Sequence, residues 1–255
     1  VGVAHVEDRA DGRPTLVTTA VDADADYRVV AADPLPDGGS RVVLRHPRGR
    51  VSFDVSMLGD FNVRNALTAL AMVGAAGHDV DAAASGLVHA QVPGRMQRVA
   101  LGEGAPHVVV DFAHTPQAIT AALDALPRTG RRIVVTGAGG DRDASKRGPM
   151  GAAAARGSDL VVVTDDNPRS EPPAAIRAAV LDGARDALAR DGRDPSLALD
   201  GGDRRSAIAL ALGRARPGDW VAILGKGHER GQEVAGVVSP FDDVVVAGAC
   251  WQEGR

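Results

Sequence analysis

Apolar and polar positions change rhythm partway along this chain. Up to about residue 58, short runs at 13–19, 27–31, 41–45 and 51–55 alternate or carry β-branched residues. Clusters rich in Asp, Gly and Pro at 22–26, 34–39 and 47–49 separate them, the pattern of strands joined by turns. Leu67, Leu70, Ala71 and Val73 then recur at helical spacing and predict a helix over 66–74, led in by residues 59–65. A second helix is expected over 79–90, with Asp79 or Asp81 as its cap. Val92-Pro93-Gly94-Arg95 breaks the pattern, and the domain boundary is placed between 97 and 98.

From about residue 99 the rhythm becomes strand, helix, strand. Strands are predicted at 107–112, 132–137, 159–165, 196–199 and 220–224, with helices at 116–126, 146–156, 173–190 and 203–215 between them. A hairpin over 232–240 and a last helix over 242–251 complete the series. Near-continuous apolar strands alternating with helices indicate a parallel sheet covered on both faces. The expected fold class is α/β. Residues 98–255 should form a Rossmann-like, doubly wound, mostly parallel sheet, preceded over 1–97 by a β-rich and then helical part.

Composition narrows the function classes. The 255 residues are 44% hydrophobic but only 3% aromatic, so Val, Ala and Leu must fill the core. A net charge of −4 gives no global attraction to nucleic acid. Cys250 is the sole cysteine, which excludes an intrachain disulfide and a Cys-rich zinc site. No run reaches the ~18 apolar residues of a membrane span, and the amino terminus lacks a signal-peptide pattern. A cytoplasmic protein without membrane insertion is expected, and a monomer is the default.

The chemistry concentrates where predicted strands end. Residues 161–171 read VVVTDDNPRSE: an apolar strand stops at Asp165, Asp166 and Asn167, Pro168 sets a turn, and Arg169 projects from it. In open α/β sheets, ligands bind beyond the carboxyl ends of strands. Acids suit an ammonium group and a guanidinium fork suits a carboxylate, although Asp-Asn-Pro is also good turn chemistry. Gly137-Ala138-Gly139-Gly140-Asp141-Arg142 follows another strand. Arg142 stands where a dinucleotide fingerprint needs glycine, which argues against hydride transfer. Gly225-Lys226-Gly227-His228-Glu229 follows a third, and its spacing is not that of a phosphate loop. In a parallel sheet all three loops emerge on one edge, so Arg142, Asp166, Asn167, Arg169 and Glu229 can converge on a small molecule bearing carboxylates and ammonium groups. Asp111 and His114 end a fourth strand and can meet a ribose and a phosphate; Thr115-Pro116 is equally a helix start. Asn65 and Arg95 beside the junction can contact a base and a phosphate, or be purely structural.

Six ordered motifs resemble the Mur ligase family of peptidoglycan synthesis, and within it the branch that adds diaminopimelate: GDFNVRNALTAL, VPGRM, VVVDFAHTP, GAGGDRDASKRGPMG, VVVTDDNPR and ILGKGHE. The resemblance covers nearly the whole chain after about residue 50. It implies an ATP-dependent amide ligase with magnesium, acting on meso-diaminopimelate and UDP-MurNAc-dipeptide through an acyl phosphate. By motif match, diaminopimelate would be read by Arg142, Asp166, Asn167, Pro168, Arg169, Gly225 and Glu229. The nucleotide would touch Asn65, Arg95, Asp111 and His114, and no metal ligand is identified. Diaminopimelate carries a second carboxylate for an arginine and lysine does not, so such a site is expected to reject lysine by ~10^4 or more. The only two lysines, Lys146 and Lys226, lie outside any phosphate loop. The resemblance therefore implies that residues 1–97 are the later part of a central ATP-binding domain whose phosphate loop precedes Val1, leaving this stretch inactive alone. A related ligase using another amino acid, such as a folylpolyglutamate synthetase-like one, and a non-catalytic binding module are the alternatives.

Overall fold

A computed structural model describes residues 2–7 and 14–254. They fall into two compact units, Val1–Gln91 and Val92–Arg255. The first unit carries a five-stranded sheet in sequential order: β1 (Gly2–Glu7), β2 (Pro14–Ala20), β3 (Tyr27–Pro34), β4 (Ser40–His46) and β5 (Gly49–Val55). Its pairing is antiparallel except between β2 and β3. Alternate residues of β3, β4 and β5 (Val29, Val42, Leu44, Phe53, Val55) face one core, closed by α1 (Asp60–Ala75) through Val63, Ala66, Leu67 and Leu70. That is the period-2 against period-3.6 match on which amphipathic packing rests. The helix expected over 79–90 is shorter. Asp79 caps α2 (Val80–Ser85), and Gly86–His89 tightens into a 3₁₀ turn.

The second unit is a six-stranded sheet flanked by helices. Its strands are β6 (Gln97–Val99), β7 (His107–Asp111), β8 (Arg132–Thr136), β9 (Leu160–Val163), β10 (Ala198–Asp200) and β11 (Trp220–Leu224), in the order β10-β9-β8-β11-β7-β6. All neighbours pair in parallel except edge strand β6, which runs antiparallel to β7. The doubly wound parallel sheet expected from the alternation is therefore present. β6 has no counterpart in the sequence reading, because three residues beside a Pro-Gly break carry no period. The strand expected over 196–199 starts later, because Asp194 caps a 3₁₀ turn over Pro195–Leu197.

The helices are α3 (Pro116–Asp124), α4 (Arg147–Gly157), α5 (Pro173–Arg190), α6 (Arg204–Arg214) and α7 (Asp243–Glu253), with a hairpin, β12 (Gly231–Val234) and β13 (Val237–Pro240), before α7. Val108, Val110, Ile133, Val135, Val162, Val221 and Ile223 share a core with Ala207, Ile208 and Ala211 of α6 and Ala247 of α7. The intervening Val109, Val134, Val161 and Ala222 are equally buried, and α4 and α5 pack against β8 and β9. Both faces are covered, as parallel strands require.

Helices α4 and α5 approach so closely that glycine is needed on each. A Cβ on Gly151 would run into the Val180 carbonyl, and one on Gly183 into the Gly148 backbone. Gly151→Ala is expected to lower stability by about 1–3 kcal/mol through overpacking. Gly213→Ala, on an exposed position of α6 with no atom within 4 Å of its added methyl, should raise it by about 0.5–1 kcal/mol. Urea unfolding of both variants checks the pair. Equal effects would remove the close-approach argument.

Candidate functional site

The carboxyl ends of three adjacent strands, β9, β8 and β11, open into a cavity of about 420 Å³. Its lining includes Arg142, Asp166, Asn167, Arg169, Gly225 and Glu229, so six residues expected from the sequence share one pocket. The loops are tied to each other directly. The Gly140 amide donates to the Asn167 carbonyl at 2.9 Å, and Arg169 Nη1 donates to the Gly140 carbonyl at 2.7 Å. A Cβ on Gly140 would strike the Pro168 carbonyl, so glycine lets these two loops touch. Gly225 adopts φ 115°, and a Cβ there would lie 2.8 Å from Asp166 Oδ2.

Arg169 adopts φ 53°, a conformation that non-glycine residues enter only when held. Here the hold comes from the hairpin. The Arg169 amide donates to the Glu233 carbonyl at 3.0 Å, and the Ala235 amide donates to the Arg169 carbonyl at 2.7 Å. Its Nε also lies 3.6 Å from a Glu233 carboxylate oxygen. Gln232 Nε2 adds a bond to the Asp166 carbonyl at 2.7 Å. The hairpin thus buttresses the DNPR turn, a role that no motif in the sequence announced.

The floor of the pocket is ionic. Lys226 is fully buried, with Nζ 3.2 Å from Asn167 Oδ1, 3.2 Å from Glu229 Oε2 and 3.9 Å from Asp166 Oδ1. Asn167 Nδ2 donates to Glu229 Oε2 at 2.9 Å. Arg204 and Asp243, both with no exposed surface, form a two-pronged pair with both contacts at 2.7 Å. Burial pushes the Asp166 carboxyl above its ordinary range, against the pull of the Arg204 and Lys226 charges. Arg142, by contrast, is exposed, and among the described residues its guanidinium makes one hydrogen bond, a 3.3 Å contact to the neighbouring Asp141 carbonyl. Its guanidinium fork is free to receive an anion.

Other expected residues fall elsewhere. Asp165, read with Asp166 as one of the acids for an ammonium, instead binds Arg177 at 2.6 Å and does not line the pocket. Consecutive residues at a strand end point to opposite faces, and α5 supplies the cation on its side. Pro168 contributes its backbone to the loop contact and is not in the lining. Asp111 is buried, its Oδ2 accepting the Met96 amide at 2.7 Å, and burial raises its carboxyl above the usual range. His114 reaches the rim, its Nδ1 donating to the Phe112 carbonyl at 2.8 Å. Arg95 lies over the Phe112 ring at 4.7 Å, a cation–π contact. Asn65 belongs to the first unit, where its Nδ2 donates to Asn62 Oδ1 at 3.1 Å. The sequence reading also passed over Lys146, Arg147 and Lys226. Arg147 lines the pocket while its Nη2 holds both oxygens of Glu171. A lysine between two glycines directly after an apolar strand was the available signal for Lys226. Among the described residues no group of three or more His, Cys, Asp or Glu side chains is arranged to hold a metal ion.

Known proteins similar to this chain identify its family. The chain is 46% identical over 244 residues to the UDP-N-acetylmuramoyl-L-alanyl-D-glutamate–2,6-diaminopimelate ligase of Corynebacterium efficiens, covering 94% of this chain and 43% of that protein. It is 42% identical over 255 residues to the enzyme of the same name from Streptomyces coelicolor, covering 95% of this chain and 49% of that protein. A solved structure of a UDP-N-acetylmuramoyl-L-alanyl-D-glutamate–2,6-diaminopimelate ligase superposes with a TM-score of 0.64 at 35% identity, over 93% of this chain and 48% of that one. Folylpolyglutamate synthase from Mycobacterium tuberculosis, at 23% identity and a TM-score of 0.62, shares the fold. The chain spans about half the length of the relatives it matches. The family described as Mur ligase, glutamate ligase domain, matches residues 94–227, more than half of the chain, and the chain belongs to that family.

Proposed function

We propose that this chain serves an ATP-dependent amide ligase of peptidoglycan synthesis, joining meso-2,6-diaminopimelate to UDP-N-acetylmuramoyl-L-alanyl-D-glutamate in the cytoplasm, and that its pocket holds the diaminopimelate. One observation carries the reading: two arginines, Arg142 and Arg169, and two carboxylates, Asp166 and Glu229, line one cavity at the carboxyl edge of the sheet. Diaminopimelate bears two carboxylates and two amino groups, so it is complementary to that set. The names of the relatives support the same amino acid.

Within this reading the chain's residues bind and orient. Arg142 and the free prong of Arg169 take the carboxylates, and Glu229, with Asp166 behind it, takes the distal ammonium. The proximal amine, held in one orientation, is presented to the glutamyl carboxyl group that ATP activates as an acyl phosphate. Fixing the amine this way removes much of the entropy cost of a bimolecular attack. Arg95, Asp111 and His114 are the residues of the second unit proposed for the nucleotide. The Arg95–Phe112 stack and the His114 ring next to it give that area a cationic and aromatic character suited to phosphate or base.

Isothermal titration of the 255-residue chain tests the substrate. Water reaches Arg142 and part of Arg169, so an arginine left unpaired by lysine stays hydrated and the discrimination expected from a sealed site shrinks. Lysine and glutamate should bind about 10–100-fold more weakly than meso-diaminopimelate, the worth of one charged hydrogen bond. Equal binding of lysine would sink the assignment. Arg142→Ala should weaken diaminopimelate binding by about tenfold or more while changing unfolding free energy by less than about 0.5 kcal/mol, since the side chain is exposed.

A further inference from the structure

An ammonium group without solvent is costly unless acceptors surround it. Lys226 meets that cost at the floor of the pocket, where three side chains of two loops converge on its Nζ. The hydrogen-bond directions there are forced. Asn167 Oδ1 receives Lys226 Nζ at 3.2 Å and the Glu233 backbone amide at 3.0 Å. Neither donor can accept, so the amide fits only one way round, with its NH₂ toward Glu229. Glu229 Oε2 then receives both Asn167 Nδ2 and Lys226 Nζ, and among the described residues no hydrogen bond reaches Oε1. Glu229 keeps 38% of its side chain exposed and lines the cavity.

Exposure points the same way. Arg204 and Lys226 face Asp166, Glu229 and Asp243 in one cluster. Glu229 is the only one of the five with more than a tenth of its side chain exposed. The cluster therefore offers the cavity Glu229 above all.

We propose that Lys226 is the positioning residue of this pocket: it locks the Asn167 amide and occupies one oxygen of Glu229, so that the other oxygen receives the ammonium group of the bound amino acid. This rests on the reading of the cavity as an amino-acid site. Lys226, Asp166, Arg204 and Asp243 form the floor below Glu229, and His114, Arg142, Asp143, Lys146, Arg147 and Arg169 line the cavity with it.

The test uses the isotope-labelled chain without ligand first. The Asn167 side-chain amide is observed by NMR in wild type and in Lys226→Met. Loss of the ammonium should release that amide, so its two proton signals should shift and broaden in the variant. Unchanged Asn167 amide signals in a folded variant overturn the proposal, and a drop in stability alone would mark a merely structural lysine. Should Lys226→Met fail to fold, the wild type decides. A slowly exchanging Lys226 Nζ signal, with two distinct Asn167 amide protons, is expected; a rapidly exchanging, solvent-like Nζ overturns the lock. Diaminopimelate titrations follow. Binding should weaken by about tenfold or more in Lys226→Met and recover in Lys226→Arg. Unaltered binding in Lys226→Met would refute the positioning role and leave the substrate reading standing. Altered Asn167 signals in Lys226→Met, with a wild type that binds no diaminopimelate, would refute the substrate reading and the ammonium contact, and leave only the lock.

Discussion

Parallel pairing of β8, β9 and β11 is the constraint from which the pocket follows. Parallel strands end on the same edge, and neighbours lie ~4.8 Å apart, so the loops after three adjacent strands must crowd together. Thr136 pairs with Val163 and Ile223 with Val135, which brings the three exits level. Residues 62 apart along the chain, Asn167 and Glu229, are thereby placed in hydrogen-bond contact. Insertion of β11 between β7 and β8 makes the path of the chain reverse there, the position where open α/β sheets collect ligands.

Crowding loops together is possible only where backbone can meet backbone. Gly137 abuts the Thr164 carbonyl, Gly140 the Pro168 carbonyl, and Gly227 the Phe112 side chain, each too close for a methyl group. Gly137 and Gly140 of the GAGGDR stretch and Gly227 of GKGHE are thus explained by packing, independently of any ligand. Arg169 pays the opposite way, holding a left-handed backbone conformation because the β12–β13 hairpin bonds it on both sides. That rigid turn sets where its guanidinium emerges.

The electrostatics are layered. Below the pocket, Arg204 and Asp243 pair with no solvent, joining the starts of α6 and α7. Above them, Asp166, Lys226, Asn167 and Glu229 form a connected set, and the exposed Arg142 completes the rim. A low-dielectric floor strengthens each of these interactions and makes any missing partner costly. Charge at the surface of the cavity is consequently governed by groups that never touch water.

What the sequence determined by itself was the fold class of the second unit and the convergence of the three strand-end motifs. Strand–helix alternation and near-continuous apolar strands admit few other arrangements, and parallel pairing then leaves the loops no choice of edge. Local signals also placed α5 at its observed ends, because Pro173 opens it and Gly192 follows it. Only the tertiary structure decided which charged residues face the cavity. Asp165 and Asp166 are adjacent and chemically identical, yet one turns to Arg177 and the other to Lys226, a difference set by what α5 and β11 bring near. The bracing of Arg169 by a distant hairpin and the short strand β6 were equally invisible, because each depends on contacts between segments far apart in the chain and neither leaves a periodic trace within it.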